Sequence, residues 1–201
     1  MTDKPTFRRG EPDERRLSLI EAATRVLARE RTPGASVRMI AGEAGVSPGL
    51  VTHYFPAIDS LMAAAYAHVV AQVEESVEEA VAAAGPDPRA RLSAFVTANF
   101  GPKIAHPDLL GCWIAFWNLV RSRPEIAQQR IEQNAELRPR LEALLAACGL
   151  AKQEIGPAAT AIGALVDGLW LELCLSPDQL SPEEASSIAC RHLDLIVAAA
   201  V

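Results

Sequence analysis

No stretch of this 201-residue sequence sustains the alternation of β-branched and polar residues that a half-buried strand needs, which removes the case for a sheet. Aromatic residues are scarce, at 5%, so the hydrophobic half of the chain is carried mainly by alanine and leucine, both strong helix formers. The expected fold class is all-α. Cysteine is also sparse. Cys112, Cys148, Cys174 and Cys190 lie far apart in apolar helical settings and form no CxxC pair, so they are expected to be reduced core residues. His53, His68, His106 and His192 show no metal-ligand spacing; no serine occupies a GxSxG elbow and no glycine-rich phosphate loop follows a strand. These absences argue against a metal site, a cofactor, catalytic residues and an enzyme. No signal peptide is expected either. The longest apolar stretch, Ala158 to Leu175, is broken by Asp167 and Glu172 and contains two glycines, so the expectation is a cytoplasmic protein with no membrane span.

Excess positive charge is lacking too. A formal net charge of -6 argues against a protein that coats nucleic acid nonspecifically, but the charge is unevenly placed. Residues 1–60 hold nine Lys+Arg against eight Asp+Glu, whereas the remaining 141 residues hold ten against seventeen. An acidic body therefore carries a near-neutral, arginine-bearing head.

Within that head, Ser36 to Phe55 reads SVRMIAGEAGVSPGLVTHYF. Ser36 suits the cap of a short helix with Val37, Ile40, Ala41 and Ala44 at helical spacing, and Gly45 suits the left-handed turn that ends it. Val46 then packs into the angle between helices, Ser47 caps a second helix and Pro48 takes its first position, where a missing N–H costs nothing. Two short helices joined by a tight glycine turn form a helix-turn-helix, the geometry that puts a helix into a major groove. Ahead of it, residues 1–12 read as a polar arm bearing Arg8 and Arg9, either a solvated tail or a segment that reaches phosphates. A first helix is expected from Asp13 to about Arg31, with Leu17, Ile20, Ala23, Thr24 and Leu27 as its apolar stripe, followed by the Arg31–Ser36 loop. After Pro56 a long helix is expected from Ile58 to Ala84. Five more follow, at about Arg89–Phe100, Asp108–Ser122, Glu125–Cys148, Ala158–Leu175 and Glu183–Ala200, set by the Pro/Gly punctuation between them.

The run A-G-V-S-x-G-x-x-x-x-Y-F, preceded by one helix and followed by a long one, resembles the TetR family of one-component repressors. The resemblance implies a helix-turn-helix head over residues 1–57 and a helical ligand-binding and dimerisation body over residues 58–201. Position by position, it implies that Pro48, Gly49, Leu50, Thr52, His53 and Tyr54 face DNA while Val51 and Phe55 point inward. Thr52 and His53 can bond base edges, Leu50 suits a thymine methyl, and a small residue at position 49 allows close approach. Tyr54 resembles the family's phosphate-binding tyrosine; its other reading is a packing aromatic. Arg38 sits where its own helix dipole repels it, which favours a phosphate contact over helix stability, with a plain surface arginine as the bland alternative. The sequence departs from many relatives at Pro48 and Ile58, where they carry phosphate-contacting lysines.

In the body, Trp113, Phe116 and Trp117 fall at i, i+3 and i+4, and Asp167 lies one turn from Trp170 in an apolar helix. A carboxylate there needs a partner. The aromatic face reads either as ordinary core or as a ligand site; Asp167 reads as an interhelix salt bridge, an interface residue or a ligand contact. Both stretches are similar to the BetI-type, choline-sensing branch of the family. That similarity implies a small-molecule inducer, such as a quaternary ammonium compound, held by Trp113, Phe116, Trp117, Asp167 and Trp170. It also implies a homodimer on a near-palindromic double-stranded operator. The family architecture and the apolar surplus of the last two helices place Ile162, Leu165, Leu169, Leu173, Ile188, Leu195 and Ile196 at the dimer interface. The alternative is a helical small-molecule-binding or protein-interaction module without sequence-specific DNA binding.

Overall fold

The computed structural model describes residues 10–30 and 35–198. Among them are nine α-helices, one 3-10 turn and no strand. The helices are α1 (Gly10–Glu30), α2 (Val37–Glu43), α3 (Pro48–Tyr54), α4 (Ile58–Ala83), α5 (Pro88–Thr97), α6 (Pro107–Val120), α7 (Pro124–Ala147), α8 (Lys152–Leu175) and α9 (Pro182–Ala198), with the 3-10 turn at Ala98–Phe100. Helix α1 starts at Gly10, ahead of the expected Asp13. Arg8 and Arg9 of the arm, and residues 31–34 of the following loop, lie outside the described residues.

Two expectations about helix faces and ends are corrected. Leu17 is 43% exposed, while Leu19, Ala22, Val26 and Ala28 are buried along with Ile20, Ala23 and Leu27. The buried face is wider than one stripe because α1 packs against α2, α4 and α6 at once. Helix α8 begins at Lys152 and runs through the Gly156-Pro157 pair that reads as a break. Proline forfeits one backbone hydrogen bond there, but Ala158 and Ala159 are buried just beyond it, and Arg138 Nη2 donates to the Gly156 carbonyl at 3.1 Å. By length and a mean hydropathy of 1.6, α8 is apolar enough to cross a membrane despite Asp167 and Glu172, so those two residues do not exclude a span. In this fold it packs on α6, α7 and α9.

The hydrophobic core is continuous from Leu19 in α1 to Leu193 in α9, so no break in packing falls between residues 57 and 58. The tightest joint lies between α1 and α6. A Cβ on Gly111 would come within 2.7 Å of the Ala28 carbonyl oxygen, so the two helices approach at a distance that only glycine allows. Next to it, the Cys112 thiol donates to the Thr24 carbonyl at 3.0 Å, and burial, with Asp108 adding to it, pushes its pKa up to about 12. Cys112 is fully buried, whereas Cys148, Cys174 and Cys190 are only half-buried, short of the core position expected for them.

Candidate functional site

Each turn of the helix-turn-helix has a local cause. The Ser36 side chain accepts from the Met39 N–H and the Ser47 side chain from the Leu50 N–H, both at 3.3 Å, satisfying one free donor at each helix start. Gly45 sits at φ +65°, and the Val46 N–H returns to the Ala41 carbonyl at 2.9 Å, which sets the angle between α2 and α3. Val51 and Phe55 are buried, and the Arg16 guanidinium lies 4.9 Å over the Phe55 ring, pinning α1 to the end of α3. Arg25 Nε and Arg29 Nη1 both bind the Glu43 carboxylate, at 2.8 and 2.9 Å, clamping α2 to α1. Those hydrogen bonds, Arg25 first and Arg29 second, hold the Glu43 carboxyl below its usual range.

The outer face of α3 is exposed at Pro48, Gly49, Thr52 and His53 and half-buried at Leu50 and Tyr54. A Cβ on Gly49 would meet nothing nearer than Ser47 Oγ at 3.9 Å, so no contact within the chain requires glycine there. The Thr52 hydroxyl donates back to the Gly49 carbonyl at 3.0 Å, which leaves its lone pairs outward as acceptors. His53 and Tyr54 meet edge to face at 5.3 Å. Arg38 is exposed, and no ion pair or hydrogen bond of its side chain occurs among the described residues. Ile58, one of the two departures from lysine, is half-buried against the core.

In the body, a cavity of about 410 Å³ opens between α4, α5, α6, α7 and α8, within the size range of small-molecule sites. Asn99, Trp113, Arg130, Gln133, Asp167 and Trp170 are among its walls. Trp113 and Trp170 stack at 5.3 Å, and the Trp170 indole donates to the Asn99 carbonyl at 2.8 Å. Tyr66 packs edge-on against Trp113 and Phe116 and donates its hydroxyl to Gln133 Oε1 at 2.6 Å. Asp167 meets Arg130 Nη2 at 3.5 Å, so the carboxylate's partner is an interhelix guanidinium at the rim of the cavity. Burial raises the Asp167 pKa, and Arg130 offsets only part of that rise.

The five residues assigned to a ligand do not stay together. Trp113, Trp170 and Asp167 line the cavity; Phe116 is fully buried behind it, and Trp117 is half-buried away from it. Trp113 is the ring that stacks on Trp170 of α8. Tyr66, Asn99, Arg130 and Gln133 went unmarked in the sequence. A tyrosine inside the α4 stripe was a usable signal, since a buried phenol needs a partner, but Arg130 lies in a polar helix where nothing distinguishes it. Of the seven residues assigned to a dimer face, Ile162, Leu169 and Leu173 are buried within the single chain and offer no free surface. Leu165, Ile188 and Ile196 are half-buried, and Leu195 is 67% exposed.

Residues 19–65 match the model of the bacterial regulatory proteins of the tetR family, and residues 88–198 match that of the C-terminal part of BetI-type transcriptional repressors. The chain belongs to the BetI-type branch of the TetR family. It is 32% identical to the HTH-type transcriptional regulator BetI of Burkholderia lata, over 92% of this chain and 94% of that one. Among solved structures, a transcriptional regulator from Pseudomonas aeruginosa PAO1 is 37% identical with a TM-score of 0.82, covering 93% of this chain and 92% of its own. A regulator from Saccharomonospora viridis, solved in complex with choline, shares the fold at 20% identity and a TM-score of 0.76, covering 90% of this chain and 96% of its own. As a TetR-family member this protein is a DNA-binding transcriptional repressor with an N-terminal helix-turn-helix and a C-terminal helical domain.

Proposed function

We propose that this repressor acts as a homodimer on a near-palindromic operator and is released by a small cation, such as a quaternary ammonium compound, bound in the cavity beside Asp167. The head, residues 1–57, reads DNA through Arg38, Pro48, Gly49, Leu50, Thr52, His53 and Tyr54; the body, residues 58–201, senses and dimerises. The observation that carries the ligand class is the carboxylate of Asp167, set beside the stacked indoles of Trp113 and Trp170. An indole face attracts a desolvated cation by roughly 2 kcal/mol, and the carboxylate balances its charge. The fold relative that binds choline supports the same class.

The dimer rests on the outer faces of α8 and α9. Ala161, Ala164, Gly168, Leu171 and Leu175 are all exposed and recur at alternating spacings of three and four, the seam of two helices packed side by side. Leu175 is 65% exposed and Leu195 on α9 67%, apolar surface that a second copy would cover. Isothermal calorimetry with choline, betaine aldehyde and an uncharged isostere tests the ligand class. The charged compounds should bind and the neutral one should not; equal binding of the neutral isostere would make the ligand a hydrophobic molecule and the tryptophans plain wall.

A further inference from the structure

The charges around the cavity are already nearly balanced, which poses a question for any cationic ligand. Its ionisable walls are Glu74, Arg130, Arg138 and Asp167. Arg138 is committed elsewhere, through Glu142 at 2.8 Å and the Gly156 carbonyl at 3.1 Å. Glu74 lies among Glu136, Glu78 and Arg140. Arg130 and Asp167 thus face each other as the cavity's own cation and anion, and their contact is a poor one. A single guanidinium nitrogen reaches a single carboxylate oxygen at 3.5 Å, where a well-formed charged hydrogen bond closes to 2.7–2.9 Å. The Arg130 guanidinium also lies near enough to the Tyr66 hydroxyl to offset part of the rise that burial gives its pKa.

We infer that Arg130 is the resident counter-cation of Asp167, which an incoming ligand must displace. This rests on the reading of the cavity as a cation site and adds a selectivity device to it. A ligand lacking full positive charge gains nothing at Asp167 that Arg130 does not already supply, so neutral and weakly basic molecules are rejected in favour of permanent cations. Displacement also has a structural consequence. The Arg130–Asp167 pair joins α7 to α8, and Arg123 at the start of the same α7 forms an ion pair with Asp59 in the first turn of α4, five residues beyond Tyr54. Arg123 and Arg130 are about two helical turns apart. Freeing Arg130 therefore loosens α7 from α8 within two turns of the residue that ties α7 to the base of the DNA-reading head.

The test compares choline and its uncharged isostere 3,3-dimethylbutan-1-ol by calorimetry on the full chain, wild type and Arg130→Gln. Removing the competitor should tighten choline by about three- to fivefold, the scale of a half-exposed ion pair, and leave the neutral isostere unchanged. Arg130→Lys, which keeps the charge, should return choline affinity to the wild-type side. Choline that binds wild type but is unmoved or weakened by Arg130→Gln overturns the displacement while the cation reading stands. Choline that binds neither protein overturns the cation reading itself.

Discussion

Gly111 sits at the junction between the helical body and the DNA-binding head. Gly111→Ala would place a methyl 2.7 Å from the Ala28 carbonyl, and backbone cannot swing aside as a side chain can. We expect a loss of about 1–3 kcal/mol, read as a fall in thermal midpoint, with weaker DNA binding because α1 carries α2 and α3. Asp167 behaves in the opposite sense. Its pKa is raised in the folded state by burial, so the ionised form weakens the fold: the cost is absent below the unfolded value near 3.8 and is felt in full once pH has risen through the raised folded value. Asp167→Asn should therefore leave thermal stability at neutral pH unchanged or improved while abolishing choline binding. A variant that both unfolds and fails to bind would make Asp167 a structural partner of Arg130. On the DNA side, Thr52→Ala should relax preference at one base pair by about 1–3 kcal/mol, whereas Tyr54→Phe should weaken all sequences alike. Fluorescence anisotropy on an operator and its single-base variants separates the two. If neither substitution changes binding, α3 is not the reader.

At the scale of helices, the head was the legible part. Two serine caps, one glycine at positive φ and a proline at a helix start each act within a few residues, so Ser36, Gly45, Ser47 and Pro48 specify α2 and α3 without reference to anything distant. The body was legible in its helices and in Trp113, Asp167 and Trp170, but not in the rest of its site, which is made by side chains far apart in sequence. Tyr66, Asn99, Arg130 and Asp167 come from four separate segments, and helical periodicity indicates that a face is buried without saying what lies across it. For the dimer face, too, periodicity does not say which apolar residues the chain itself covers. Ile162, Leu169 and Leu173 are apolar enough for an interface, yet α6, α7 and α9 use them up within the chain. Leu169→Glu should thus unfold the protomer, whereas Leu195→Glu or Leu171→Glu should leave it helical and yield monomers on sedimentation. Intact dimers in both surface variants would move the interface off α8 and α9.

For the whole molecule, the cavity connects to the head by a second route besides the long helix α4. Trp113 lines the cavity, while its neighbours Gly111 and Cys112 rest on Ala28 and Thr24 of α1. A change felt at the indole thus reaches the head through α6 and α1 as well as through α4. The ligand can shift the balance between DNA-fitting and misfitting arrangements only by its difference in affinity for the two, about 1.4 kcal/mol for each tenfold. The most direct measurement is anisotropy of a labelled duplex from the protein's own upstream region, titrated with choline against wild type and Asp167→Asn. The account predicts that Asp167→Asn, which frees Arg130 as the ligand does, binds the duplex no more tightly than wild type without choline, and that choline releases only the wild type. It is contradicted if choline releases neither protein, or releases both alike.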